Sequence, residues 1–489
     1  MDASSNQAAA YGGSYQAGLW DADTVMAAHV GRYNTFSDYL RNAYPFNGKL
    51  SLAVGEAKTL QTGQVVHVTT HFIDCHWNLH RVVLNAYMVL PVGDYYHVPL
   101  QIAPMVGLDH AVRRITHGTA NLVGPRYGQY DLFMVAGEMT GHISHLELKN
   151  FMDQGLQNKI YYSTTYIDHV FHSIARCLLP DSNLAKSIVD RYTQLRGTGQ
   201  ELAKLGLLDG PWEYDDRWYS CYCSLEIHAQ EEVPPNSEDY TEQLLRTLWR
   251  EIYRAIKKFS DSGRPTSNVC LQELFKVKAV LQSELSKAPP AAHADKCSGF
   301  VDKSVADVLR EALETVDKTI QDSYLVWSIP LVLDPRYKLA YIEFIFQRAF
   351  GPEAEKYVFE VRTKTKELYT SYKIEDDDED SDGSSIEEMA VDSSDPLEQE
   401  WDEQCRSHDK TRKVDSHAEA KAELDCYLED RLAPRTEDFD ILDWWKQNSM
   451  KYPTVARMAR DALAMPTCSK LTSDQMAHVK SMIRGYNKW

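Results

Sequence analysis

A run of 29 residues, Glu375 to Glu403, holds 15 aspartates and glutamates and no lysine or arginine. Such a stretch cannot bury enough apolar surface to offset the entropy of ordering it. It is therefore expected to be a disordered acidic linker within 371–416, with folded chain on either side. It also dominates the charge. Of the net −19 carried by 489 residues, −15 sits here and only −4 on the other 460. A histone-like or polybasic protein is excluded, whereas local basic patches on a nearly neutral, DNA-binding body are not. With 43% hydrophobic and 25% charged residues there is ample material for a core. At about 100–200 residues per domain, the length fits two to four domains.

The cysteines, at 75, 177, 221, 223, 270, 297, 405, 426 and 468, are nine in number and scattered. An odd, sparse set does not resemble a disulfide framework and points to a reducing compartment. The opening Met1-Asp2-Ala3-Ser4-Ser5-Asn6 lacks the basic and apolar regions of a secretory leader. The longest apolar run, Tyr324 to Leu333, contains Pro330, and at about half of the roughly 20 residues of a membrane span it is too short to cross. The expectation is a soluble, intracellular protein without a membrane partner.

Residues 1–45 read as a disordered Ala/Ser/Gly/Gln tail with a short helical lead-in. The next stretches are extended. Leu50–Val54, the β-branched Val65–Ile73 and Arg81–Leu90, closed by Pro91 and Gly93, read as an antiparallel meander, and Tyr130–Val135 as a later strand. Helical spacing takes over after about 140. Tyr240, Leu244, Leu245, Leu248, Trp249, Ile252, Tyr253 and Ile256 form one apolar stripe. Val305, Val308, Leu309, Ala312, Leu313, Val316 and Ile320 form another. Near the end, Thr472-Ser473-Asp474-Gln475 has the form of a capping box opening a helix.

Chemistry-bearing motifs are sparse. There is no C-x-x-C, and the Cys221/Cys223 pair has no matching histidines downstream, so no zinc site is expected. Glu138, His142 and His145 have a usable ligand spacing, but such sets arise often by chance and read by default as packed or solvated side chains. Phosphate-binding loops and G-x-S-x-G are absent. No cofactor and no small-molecule substrate are implied. Arg254, Lys257 and Lys258 flank Phe259 at a helix end, where the macrodipole alone would favour them.

The C-terminal part is more telling. Phe439–Ser449 is an aromatic-rich helix containing Trp444 and Trp445. A Tyr452-Pro453 turn follows, then a second helix with Met458, Ala459 and Leu463. This is more apolar surface than a helical hairpin can hide, so it must pack on another domain or another chain. The stretch resembles the C-terminal dimerisation region of hAT-superfamily transposases, especially the plant RICESLEEPER-type, BED-finger-associated group. Further blocks carry the same resemblance: Thr70–Asp74 with Trp77-x-Leu79 and Val83–Asn85; Arg217–Tyr222; Pro265-Thr266-Ser267-Asn268 with Leu271, Leu274, Val277 and Lys278; and Leu333-Asp334-Pro335-Arg336-Tyr337-Lys338-Leu339.

The resemblance implies an α/β fold: an RNase H-like core (46–165), a large helical insertion and hAT-like helical segment (166–370), and a C-terminal dimerisation segment (417–489). It also implies a nuclear homodimer that meets DNA. Trp444, Trp445, Tyr452, Pro453, Met458, Ala459 and Leu463 would serve dimerisation. Arg217 and Trp218 would be DNA contacts, Trp218 stacking on an unpaired base; a plain core tryptophan is the equal alternative.

Transposases of this kind cleave DNA with three carboxylates holding two Mg²⁺ ions about 3.5–4 Å apart. The expected positions are not acidic here. Gly55 occupies the first, with Glu56 one step off and so on the opposite strand face. Matching Ala120-Asn121 puts Thr116 near the second. The segment bearing the third is missing after Met465-Pro466, and Thr467-Cys468-Ser469-Lys470 runs directly into the last helix. Asp74, Asp109 and Asp131 are the remaining substitutes. The expectation is a catalytically inactive, domesticated or decayed transposase-like protein, with no catalytic or metal-binding residues and no BED finger. The alternatives are an active nuclease using displaced acids and an interaction scaffold without DNA affinity.

Overall fold

In the computed structural model the described residues are 48–59, 63–89, 105–106, 132–137, 162–180, 182–194, 217–229, 240–260, 263–288, 303–373, 422–436, 438–468 and 470–486. The N-terminal tail, the acidic stretch and the Glu138/His142/His145 set lie outside them.

The β-branched runs form a six-stranded mixed sheet. Its strands are β1 (Leu50–Thr59), β2 (Gly63–Ile73), β3 (Leu79–Val89), β4 (Met105–Val106), β5 (Leu132–Gly137) and β6 (Tyr162–Thr164). The spatial order is β4-β3-β2-β1-β5-β6. The first three strands make the expected antiparallel meander, and β5 and β6 add to β1 in parallel. This is the mixed sheet of an RNase H-like core. Parallel strands need a crossover, and sheets built this way carry helices on their faces.

Among the described residues the helices are α1 (Ile167–Cys177), α2 (Ser182–Gln194), α3 (Arg217–His228), α4 (Tyr240–Phe259), α5 (Cys270–Lys287), α6 (Val305–Val332), α7 (Lys338–Phe350), α8 (Ala354–Lys373), α9 (Glu423–Glu429), α10 (Ile441–Asn448), α11 (Pro453–Leu463) and α12 (Ser473–Tyr486). Apart from Tyr240, which is exposed, and half-buried Leu313, both apolar stripes are the buried faces of α4 and α6. The second helix begins with a capping box at Ser304, which accepts from Asp307 N and is answered by the Asp307 carboxylate. Pro330 lies in the last turn of α6, where it removes one intrahelical bond, and the helix ends two residues later at Val332. The capping box at Thr472 forms as expected, Gln475 N donating to Thr472 Oγ1 at 3.2 Å and Thr472 N to Gln475 Oε1 at 2.9 Å.

One continuous hydrophobic core joins the sheet face carrying Ala53, Met134 and Ala136 to α1–α8 and to the C-terminal helices. α11 packs on β2, and α12 on β3. The C-terminal segment is therefore built into the body of its own chain.

Candidate functional site

Two carboxylates on neighbouring strands, which lie about 4.8 Å apart, can share ions about 4 Å apart. The neighbours of β1 are β2 and β5. Gly55, at the expected first acid position, pairs with His67 of β2, one step beyond the Ala53–Thr69 and Ser51–His71 pairs on the same face. His67 is 1% exposed and neither ring nitrogen has a hydrogen-bond partner. Burial pushes its pKa down to about 4, so the ring is neutral at physiological pH. His71 is likewise held well below the usual value, first by burial, then by the Arg81 guanidinium and by His67. Its Nε2 meets Thr69 Oγ1 at 3.1 Å. The first position thus presents glycine beside a neutral imidazole.

On the other side, Val54 pairs with Gly137 of β5. The described pairing of β1 with β5 ends there, one residue before Gly55. The next residue in sequence after Gly137 is Glu138, which lies outside the described residues, as do Thr116, Asp109 and Asp131. At the third position, nine residues without a carboxylate, Ala464 to Thr472, connect α11 to α12. That connector is pinned. Thr467 O accepts from Ile167 N (3.1 Å) and Asp168 N (3.3 Å), and the Thr467 and Thr266 hydroxyls are 2.6 Å apart.

Asp74 is bound up in the β2–β3 turn. Its carboxylate accepts from His76 N and Asn78 N, both at 2.9 Å, from Asn78 Nδ2 at 3.2 Å and from His80 Nε2 at 2.9 Å. Burial alone would raise its pKa, but the Asn78 and His80 bonds hold it below the usual value. It is a turn carboxylate with its lone pairs occupied. Among the described residues no three His, Cys, Asp or Glu side chains converge as a metal site.

Arg217 is exposed at the start of α3, but the neighbouring Trp218 is fully buried. His172, Tyr219, Tyr222 and Trp249 surround its indole at centroid distances of 5.9–6.5 Å. Within the single chain the ring is enclosed on its faces, the arrangement of a core tryptophan. A block at the start of a helix does not by itself reveal which neighbour covers it.

The residues assigned to dimerisation also make contacts within their own chain. Trp445, Tyr452, Met458, Ala459 and Leu463 are at most 3% exposed within the single chain; Trp444 is half-buried and Pro453 exposed. Of the two packing partners left open by the sequence, the structure uses the chain's own body. Trp445 donates its Nε1–H to Leu333 O at 2.9 Å, and its ring stacks at 11° on Trp77 of the β2–β3 turn. Tyr427 donates to Val332 O at 3.1 Å. Arg460 lies 4.8 Å over Trp77.

The other family-like blocks meet at this junction. Asp334, with no exposure, accepts from Asn268 Nδ2 at 2.7 Å and from Arg336 Nε and Nη2 at 3.0 and 2.7 Å. Ser267 donates to Ala462 O and Leu463 O at the end of α11, at 3.1 and 3.3 Å. Lys338 is 2% exposed and donates to Tyr427 O (2.6 Å), Asp430 O (2.8 Å) and Arg431 O (3.5 Å), so it caps the end of α9. Trp77 (φ 68°) and Lys338 (φ 52°) are the non-glycine residues with left-handed backbone among those described. Such bulky residues persist there only where their surroundings over-determine them. Both are anchors of this clasp.

One further group, missed in the sequence, is Asp461. Fully buried on α11, it accepts from Lys49 N at 3.0 Å and from the Tyr372 hydroxyl. Burial raises its pKa to about 6 against those two bonds.

Two stretches match known families. Residues 268–372, the helices α5–α8, match the hAT-like transposase RNase-H fold, and residues 423–478, the C-terminal helices, match the hAT family C-terminal dimerisation region. Over these stretches the chain is similar to hAT transposases.

Among curated relatives, it is 24% identical over 490 residues to the zinc finger BED domain-containing protein RICESLEEPER 2 of Oryza sativa subsp. japonica. That alignment covers 91% of this chain and 63% of the rice protein. It is 32% identical over 240 residues to the zinc finger BED domain-containing protein DAYSLEEPER of Arabidopsis thaliana, covering 48% of this chain and 30% of that protein. A putative AC transposase of Zea mays matches at 26% over 170 residues, 34% of this chain and 20% of the maize protein. The chain thus spans less than two thirds of the length of each of these relatives.

Proposed function

We propose that this chain is a transposon-derived, non-enzymatic DNA-binding protein that works as a nuclear homodimer. The observation that carries the loss of chemistry is the Gly55–His67 pair. A two-ion centre needs a hard oxygen ligand at this place, and a glycine beside a neutral buried imidazole supplies none. The acid-free, pinned connector after α11 and the occupied carboxylate of Asp74 support the same reading. The match to a hAT dimerisation region supports the homodimer, and the zinc finger BED relatives support a nuclear, DNA-associated role.

Incubation with nicked and hairpin-ended duplexes in Mn²⁺ is expected to leave the DNA intact. Cleavage would overturn the non-enzymatic reading, and its loss in a Glu138→Gln variant would identify one of the acids, chosen because Glu138 directly follows β5 in the sequence.

Light scattering across a hundredfold concentration range is expected to give twice the monomer mass. A monomer throughout would remove the homodimer. Trp445 and its buried neighbours are taken up by their own chain, which leaves half-buried Trp444, exposed Pro453 and the rest of the surface as candidate dimer contacts.

A further inference from the structure

The helix-end cations Lys257 and Lys258 are not isolated on the folded chain. Both are exposed at the end of α4, beside the loop that carries exposed Arg264. That loop is tied to two distant parts of the sequence. Arg81 of β3 donates from Nη2 to Arg264 O at 3.4 Å, and Gln475 of α12 donates to Arg81 O at 2.9 Å. Ser260 Oγ lies 3.9 Å from Cys468 Sγ, and Thr266 meets Thr467. These contacts bring the connector with exposed Lys470 against the same loop.

Cations from four separated stretches, Arg81, Lys257–Lys258, Arg264 and Lys470, therefore gather at one corner of the fold. Among the described residues the acids beside these five cations are three: Glu273, 7% exposed, which takes up Lys258 at 2.6 Å; buried Asp168, beside the Cys468 thiol; and Asp474, exposed at the start of α12. Asp261, in the same loop, lies outside the described residues. On a body that is close to neutral outside the acidic stretch, a net positive corner needs an explanation beyond the helix dipole, which would account for Lys257 and Lys258 alone. Arg264 and Lys470 lie on no helix end that a positive charge would favour; Lys470 precedes the start of α12, where the dipole disfavours it.

We infer that this corner, with Lys257, Arg264 and Lys470 as its contacts and Arg81 holding the loop in place, binds the phosphate backbone of duplex DNA. This rests on the DNA-binding reading above and adds where the contact is made. Phosphate contacts of this kind position a duplex without reading its sequence. They also release counterions, so each one lost lowers the salt slope of binding by about 0.9.

The test is fluorescence anisotropy of a labelled generic duplex against the full chain, at about 50 and 200 mM salt, a range over which a few phosphate contacts change affinity many-fold. The proteins compared are the unsubstituted chain, the Lys257→Gln/Arg264→Gln/Lys470→Gln triple, and a control triple on α8, Lys356→Gln/Lys364→Gln/Lys366→Gln. Circular dichroism establishes that each is folded. The corner triple is expected to bind at least tenfold more weakly at the lower salt, with a salt slope reduced by about 3, and the control within about twofold of the unsubstituted chain. If the unsubstituted chain binds and the corner triple binds equally well, this surface is wrong and the DNA-binding reading stands. Equal losses in both triples also overturn it, since net charge alone would explain them. No binding by the unsubstituted chain at the lower salt overturns both.

Discussion

Replacement of Trp445 by alanine is expected to lower the stability of the chain by about 4 kcal/mol, the range found for large aromatic truncations in a core. The indole has no exposure, stacks on Trp77 and donates to Leu333 O. Its removal leaves a cavity between the β2–β3 turn and the end of α6, and an unpaired carbonyl. Trp444→Ala, on a half-buried ring, is expected to cost only about 1 kcal/mol, as for partial loss of apolar burial. Denaturant unfolding followed by far-ultraviolet circular dichroism measures both. The outcome that would refute the clasp is a Trp445→Ala chain as stable as the unsubstituted one but monomeric. That result would put the ring in a subunit interface rather than in the core.

The second large effect is on pH dependence and concerns His67. Its folded pKa is about 4, against an ordinary value of 6.5. The unfolded chain therefore takes up the proton first on acidification. The stability that the neutral buried ring contributes is fully present above about 6.5 and is lost progressively as pH falls through the folded value. At about 1.4 kcal/mol per pK unit, the loss from this residue between pH 7 and pH 4 is on the order of 3 kcal/mol.

Asp461 acts in the opposite sense. Its folded pKa is raised from 3.8 to about 6, so its burial is least costly at low pH. The two opposite slopes make the bare pH profile of the protein ambiguous. Comparison of the unsubstituted chain with His67→Gln cancels the Asp461 contribution. The stability difference between the two proteins is expected to shift by about 3 kcal/mol from pH 7 to pH 4 in favour of the variant. A constant difference would mean that the ring is protonated or solvated in the folded state.

What could be read from the residues was mostly local. The alternation in Leu50–Val54 and the β-branched run Val65–Ile73 specify strands, because side-chain sterics and a period of two act over a few residues. The stripes from Tyr240 and Val305 specify helices for the same reason at a period of 3.6. The Thr472 capping box is a four-residue hydrogen-bonding unit and was legible whole. The blocks Pro265–Asn268 and Leu333–Leu339 stood out as unusual, but nothing local said that Asp334 takes Asn268 or that Lys338 caps a helix about 90 residues away.

The partners of those side chains were decided by tertiary structure alone. Excess apolar surface around Trp445 required a partner, and burial energetics do not distinguish a second copy from the chain's own body; only the folded arrangement of β2–β3, α6 and α11 does. Trp218 is covered because α1 and α4 close over it, and Gly55 faces His67 because of strand register. The sequence by itself determined the elements and the acidic break between them. Which residues meet depended on contacts between segments tens to hundreds of residues apart, and hydrophobic burial, being non-directional, leaves no local mark of its partner.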